Sequence, residues 1–318
     1  MTTESRQDDL PPEKPGERSP LDNVLGGVEA QYHEWEHQVR EANERIDQAA
    51  GRPLWQAIAV GLALGGVFLV ALLVSPLLFG LFAGTLLVFA VVELVGAMRL
   101  GGARLSRTLL SLVSLGILAG AYFYGGDGLF TTLFAGIILI ASGRTALMVQ
   151  PRARTGVARD IQQGWFVLMY LPFMGSAAVA LRLSDGGAWW IFAIIIIVVS
   201  VDTSAYAVGR SLGRHKLAPT ISPGKTWEGF AGASVAGAIA GVATGTWMID
   251  VGPWWGLMIG GIVVVTATLG DLLESFIKRE VGVKDMSSVL PGHGGVLDRL
   301  DSVLPSLAIG YLLYQFLG

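Results

Sequence analysis

Nine runs of apolar residues follow one another along this chain, and they limit what it can fold into. They cover roughly 54–74, 76–98, 106–124, 129–149, 163–182, 188–208, 229–249, 254–277 and 301–317. Most reach the ~20 residues that a helix needs to cross the hydrocarbon core of a bilayer. Lipid offers a bare backbone no hydrogen-bond partner, so runs of this length are expected as helices. Charged residues make up 15% of the chain, against about 25% in a soluble domain. The pattern therefore predicts an all-α, polytopic integral membrane protein with about nine transmembrane helices over 54–318, preceded by an N-terminal extension, 1–53. It argues against a soluble globular enzyme and a disordered protein. The chain has no cysteine, which excludes disulfides, thiolate metal sites and cysteine nucleophiles.

Basic residues set the orientation. Alternate loops carry Arg99, Arg104 and Arg107; Arg144, Arg152, Arg154 and Arg159; Arg210, Arg214, Lys216 and Lys225; and Lys278, Arg279, Lys284 and Arg299. The opposite loops carry only Arg182, a split of 15 to 1. By the positive-inside rule the basic loops and the N-terminus face the cytoplasm and the C-terminus lies outside, as in an inner (cell) membrane protein. The extension holds 6 Lys+Arg and 12 Asp+Glu, so nucleic acid is not an expected partner. Residues 1–20, rich in Pro, Glu, Asp and Ser, read as disordered. Residues 21–50 read as an amphipathic helix with Val28, Tyr32, Trp35, Val39, Ala42, Ile46 and Ala49 on one stripe. His33-Glu34-Trp35-Glu36-His37 fits the H-E-x-x-H zinc pattern. Trp35 belongs to the stripe, however, and no third ligand is apparent, so a solvated helix face is the better reading.

The polar residues of the body gather in three places, all on the basic side. Asp202 lies in apolar sequence ahead of Tyr206 and Arg210, where a charge needs a cation or a polar cavity. Ser222-Pro223-Gly224-Lys225-Thr226 ends like a phosphate-binding loop, but Pro219 stands where that motif needs Gly and no strand is predicted before it. The segment can still offer backbone N–H groups and a lysine to a phosphate. The third stretch is 271–302. Asp271, Glu274, Ser275 and Lys278 share a helix face, a glycine-rich turn follows, and Asp298 and Asp301 share another face. Carboxylates without thiolates suit Mg²⁺, as one or two ions with a monovalent ion as a further option. Lysines and arginines beside them suit phosphates. This layout serves phosphoryl or nucleotidyl transfer, and its place at a lipid–water boundary makes a lipid phosphate the expected second substrate. Glu93 is a further acid within the second apolar run, and its sequence context gives it no role.

The last stretch reads Ser275-Phe276-Ile277-Lys278-Arg279, Lys284-Asp285, Pro291-Gly292-His293-Gly294-Gly295 and Asp298-Arg299-Leu300-Asp301. It resembles the signature of the phosphatidate cytidylyltransferases, the CDP-diacylglycerol synthases, with every fixed position filled over 27 residues. The segments 202–206 and 222–229 also resemble that family's upstream motifs. The resemblance implies that 54–318 is a membrane-embedded cytidylyltransferase domain. It would transfer CMP from CTP to phosphatidate with Mg²⁺, yielding CDP-diacylglycerol and pyrophosphate for phospholipid synthesis, and the family suggests a homodimer.

On residue chemistry, Asp271, Asp285, Asp298 and Asp301 are the expected metal ligands, with Asp202 a weaker fifth. Lys225, Lys278, Arg279, Lys284 and Arg299 are the expected phosphate clamps, and His293 would bond a phosphate or orient a carboxylate. Ser222, Thr226, Ser275, Gly292, Gly294 and Gly295 are the expected substrate contacts. Two alternatives remain at this point. A polytopic transporter would place polar residues near mid-span, and another Mg²⁺-dependent lipid-phosphate transferase or kinase would use similar groups.

Overall fold

The computed structural model describes residues 54–146, 156–283, 286–287 and 295–317. The chain divides into two units, Met1–Gln56 and Ala57–Gly318, and the second carries everything described below except the first three residues of the first helix. The acidic extension, its amphipathic stripe and its H-E-x-x-H segment lie outside the described residues, as do Arg152 and Arg154.

The body is a helical assembly. Helix α1 is Leu54–Val74 and α2 is Pro76–Leu100. The Ser75 hydroxyl caps α2, and Pro76 fills a first-turn position whose N–H would have no partner anyway. Helix α3, Arg107–Ala146, spans 40 residues but breaks at Gly125, where φ is 63° and ψ −140°. Only glycine enters that region freely. The two arms fold back on each other: Gly136 on one packs against Val113 and Ile117 on the other, and a Cβ on Gly128 would overlap the Gly120 carbonyl.

Helix α4, Val157–Leu168, runs through one π-helical turn, Met169–Phe173, into α5, Met174–Leu183. Pro172 sits inside that turn. It has no N–H to donate, and a widened turn accommodates it without ending the helix. Every residue from Gly175 to Leu181 is buried, because α5 is packed by α2, α3, α6 and α10 together.

Helix α6 is Gly187–Leu212, α7 is Trp227–Trp247 and α8 is Pro253–Val281. Glycines let α7 and α8 touch along their backbones: a Cβ on Gly241 would overlap the Gly256 carbonyl, and one on Gly260 the Gly237 carbonyl. Small residues bring helices this close where lipid supplies no hydrophobic drive between them. A single turn, α9 (Leu297–Leu300), leads into α10, Val303–Leu317.

Among the described residues, six helical segments are long and apolar enough to cross a membrane: α2, α3, the continuous Val157–Leu183, α6, α7 and α8. Gly61–Val74 and Val303–Leu317 are shorter apolar helices. The expectation of an all-α fold needs one amendment. Strands β1 (Lys216–Ala218) and β2 (Ser222–Thr226) form an antiparallel hairpin. Pro219, Pro223 and Gly224 make this polar segment a poor helix, and a short ladder satisfies its backbone instead.

The two ends of the assembly differ in chemistry. Trp189, Trp247, Trp254, Trp255 and Phe316 are exposed at one end. Trp255 meets Phe316 edge-on, and Trp190 meets Tyr314. Such aromatics mark a membrane–water interface. The polar groups sit at the other end.

Candidate active site

Four elements deliver side chains to that polar end. The last turns of α6 bring Asp202, Tyr206 and Arg210. Strand β2 brings Ser222, Lys225 and Thr226. The last turns of α8 bring Asp271, Glu274 and Lys278, and the α9 turn with its exit brings Asp298, Asp301 and Ser302. All line one cavity of about 770 Å³.

The hairpin is held firmly beneath Lys225. The Trp227 N–H donates to the His215 carbonyl at 2.9 Å. Glu228 Oε2 accepts the N–H groups of Arg214 and His215 at 3.1 and 3.2 Å, and its Oε1 lies 2.6 Å from His215 Nδ1. The Thr226 hydroxyl accepts the Gly229 N–H at 3.1 Å and so caps α7. Arg279 Nε donates to the Ile221 carbonyl at 3.4 Å, so Arg279 braces the hairpin turn.

Charges alternate across the cavity. Lys225 Nζ lies 2.7 Å from Asp271 Oδ2, and the Ser275 hydroxyl donates to Asp271 Oδ1 at 3.3 Å. Lys278 Nζ stands between Glu274 Oε2 at 2.6 Å and Asp298 Oδ1 at 3.2 Å. The Gly295 N–H donates to Asp298 Oδ2 at 2.7 Å, and the Ser302 N–H to Asp301 Oδ1 at 2.7 Å. Burial acts to raise the Asp298 pKa, but its contact with Glu274, the Gly295 N–H and the Lys278 charge outweigh that and hold it below its ordinary value. At Asp301 the Ser302 N–H and the Lys278 charge act in the same direction but do not prevail. Burial, and then the charge of Asp271, push its carboxyl from 3.8 up to about 7.

Carboxylate oxygens of Asp271, Glu274 and Asp301 all lie within 4.8 Å of one another. Among the described residues, Glu274 Oε1 is buried with no hydrogen-bond partner, as is the Tyr170 hydroxyl on the π-helical turn. Tyr170 lies within electrostatic reach of the same three acids. Buried polar atoms are rarely left unpaired. Three acids converging beside two orphaned oxygens fit a hard, oxygen-seeking cation.

On the far side of α9 lies a second cavity, about 290 Å³, lined by apolar side chains of α1, α2, α5, α6 and α10 together with Val296, Arg299 and Leu300. The α9 segment is thus a partition. Asp298 and Asp301 face the polar cavity, while Arg299 lines the apolar one.

Asp202, Ser222, Lys225, Thr226, Asp271, Lys278, Asp298 and Asp301, all expected from sequence, thus line one cavity. Ser275 and Gly295 hold two of its aspartates. Arg279 and Arg299 point to other partners. Lys284, Asp285, Gly292, His293 and Gly294 lie outside the described residues. Sequence reasoning placed Glu274 on the correct helix face but left it out of the ligand set. Its i, i+3 spacing from Asp271 was the available signal.

The family model described as cytidylyltransferase family matches residues 55–317, nearly all of the body. The chain belongs to the cytidylyltransferase family. Among its relatives, a protein of Mycobacterium leprae named phosphatidate cytidylyltransferase is 33% identical over 321 residues, covering 95% of this chain and 98% of the relative. One of the same name from Mycobacterium tuberculosis is 34% identical over 277 residues, 84% of each chain. A third, from Brucella abortus, is 38% identical over 146 residues, covering 45% of this chain and 54% of its own. The chain is a nucleotidyltransferase and a multi-pass membrane protein.

Proposed function

We propose that this chain transfers CMP from CTP to phosphatidate, yielding CDP-diacylglycerol and pyrophosphate. The observation that carries the reading is the single cavity in which Lys225 and Lys278 alternate with Asp271, Glu274, Asp298 and Asp301. A phosphate oxygen of the lipid attacks the α-phosphorus of CTP. The new P–O bond forms as the bond to the β-phosphate oxygen breaks, and pyrophosphate leaves with that electron pair. A phosphate monoester is already largely ionised near neutral pH, so the main demand is neutralisation of charge rather than proton removal. Lys225 and Lys278 meet that demand by exchanging carboxylate partners for phosphate oxygens. Asp271, Glu274 and Asp301 would hold Mg²⁺, with Asp202 and Asp298 at the cavity wall and Asp285 as a further candidate. When bound, Mg²⁺ supplies positive charge to the phosphate oxygens.

The apolar cavity behind α9 suits an acyl chain of the lipid, with Arg299 at its polar end. The reading counts nine crossings, with α3 taken twice across its break and α1 and α10 added. The 15 to 1 distribution of basic residues supports a cytoplasmic N-terminus and a cytoplasmic site in the cell membrane. Purified protein with labelled CTP should form a labelled lipid only when phosphatidate and a divalent ion are both present. CTP turnover without phosphatidate, or a labelled product other than CDP-diacylglycerol, overturns the reading.

A further inference from the structure

Glu93 is an acid within α2, seven residues before its end, and it is 94% buried (6% exposed). A carboxylate so placed is costly unless its oxygens are satisfied. The structure satisfies them from about 200 residues further along the chain, and every partner among the described residues is a donor. Oε1 accepts the Ser287 hydroxyl at 2.5 Å and the Val296 N–H at 3.0 Å. Oε2 accepts the Leu297 N–H at 2.9 Å. Ser287 precedes the Pro-Gly-His-Gly-Gly sequence and Val296 follows it. One carboxylate therefore ties together the two flanks of that glycine-rich sequence.

The neighbouring glycine explains how the carboxylate gets so near. A Cβ on Gly295 would stand 2.8 Å from Glu93 Oε2, so any larger residue would push the two apart. The Gly295 N–H also donates to Asp298 Oδ2. From α2 the chain of contacts thus runs to Val296 and Leu297, into the α9 turn, and on to Asp298 and Asp301 in the polar cavity.

We propose that Glu93 is a positioning residue for nucleotidyl transfer. It touches neither cavity; it fixes the start of α9 and so the placement of Asp298 and Asp301 against α8. The proposal rests on the functional reading above and adds a residue to it that the signature does not contain. The side chain must accept on both oxygens. An amide of the same size cannot, because its NH₂ would face a backbone N–H.

The test uses the full-length protein in detergent, with rates normalised to folded protein. In Glu93→Gln, kcat should fall about a hundredfold, the loss that a displacement on the order of 1 Å can produce. The Mg²⁺ concentration for half-maximal rate should rise, and KM for CTP should stay near wild type. Glu93→Asp, which keeps the charge but shortens the reach, should lie between. Gly295→Ala attacks the same contact from the other side and keeps the test decisive if Glu93→Gln does not fold. The double variant should be no worse than the poorer single, since both break one linkage. A purely scaffolding Glu93 would lower the folded yield and leave kcat and the Mg²⁺ requirement of the folded fraction unchanged. That result, or additive losses in the double variant, overturns the proposal. A wild-type protein that makes no CDP-lipid would instead overturn the functional reading.

Discussion

The meeting of α8 with the exit of α9 depends on one glycine. Gly270, immediately before Asp271, packs against the backbone of Asp301: a Cβ there would stand 3.0 Å from the Asp301 carbonyl carbon, nearer still to its oxygen, and 3.0 Å from Pro305 Cγ. Carbon atoms settle at about 3.5–4.0 Å, so in Gly270→Ala the two backbones must part by roughly 1 Å. That gap opens within a cluster whose oxygens now lie within 4.8 Å.

Two effects on stability oppose each other in this substitution. Removing a mid-helix glycine favours the helix by about 0.5–1 kcal/mol, whereas overpacking costs about 1–3 kcal/mol, so a net destabilisation is expected. The effect on activity should be larger, about a hundredfold in kcat, with a raised Mg²⁺ requirement. Gly261→Ala on the same helix is the control, because nothing lies within 4 Å of its Cβ position. It should be as stable as wild type or slightly more so, and fully active. Both variants would be assayed by CDP-lipid formation and by thermal melting in detergent. A fully active Gly270→Ala, or equal losses in the two, would refute the claim that close approach at Gly270 assembles the site.

Two further outcomes follow from the geometry. Asp301, with its pKa raised from 3.8 to about 7, keeps in the folded protein a proton that the unfolded chain releases, and a bound cation must displace that proton. Metal affinity should therefore fall as pH drops below 7, by about tenfold per unit, while the metal-free protein loses thermal stability as pH rises through that value. Calorimetric Mg²⁺ titration and melting between pH 5 and 8 check both trends, and Asp301→Asn should remove them. Ala83→Trp would fill part of the apolar cavity. It should raise KM for long-chain phosphatidate more than for short-chain and leave KM for CTP unchanged, as substrate-saturation kinetics would show.

Much of this was legible in the chain because lipid simplifies the problem. Apolar runs are forced into helices, and a motif that is polar inside such a chain stands out. The i, i+3, i+4 and i+7 spacing from Asp271 to Lys278 on one helix face gave the α8 side of the cavity directly. The break at Gly125 was also foreshadowed, since 106–124 and 129–149 read as separate runs. Contacts between distant elements were not legible. The β1–β2 hairpin was missed because Ser222–Thr226 is too short and too polar for an alternating apolar pattern. Asp298 and Arg299 are neighbours in sequence and share the signature, yet a one-turn helix sends them to opposite cavities. Nothing around Glu93 announced a role, because its partners lie about 200 residues away.

The central claim is that acids of α8 and of the α9–α10 junction converge on one cation that meets the phosphates of CTP. Paramagnetic Mn²⁺ tests it directly. With purified protein, bound Mn²⁺ should broaden the phosphorus resonances of CTP, and the broadening should disappear in both Asp271→Asn and Asp301→Asn. Undiminished broadening in the two variants would contradict the account.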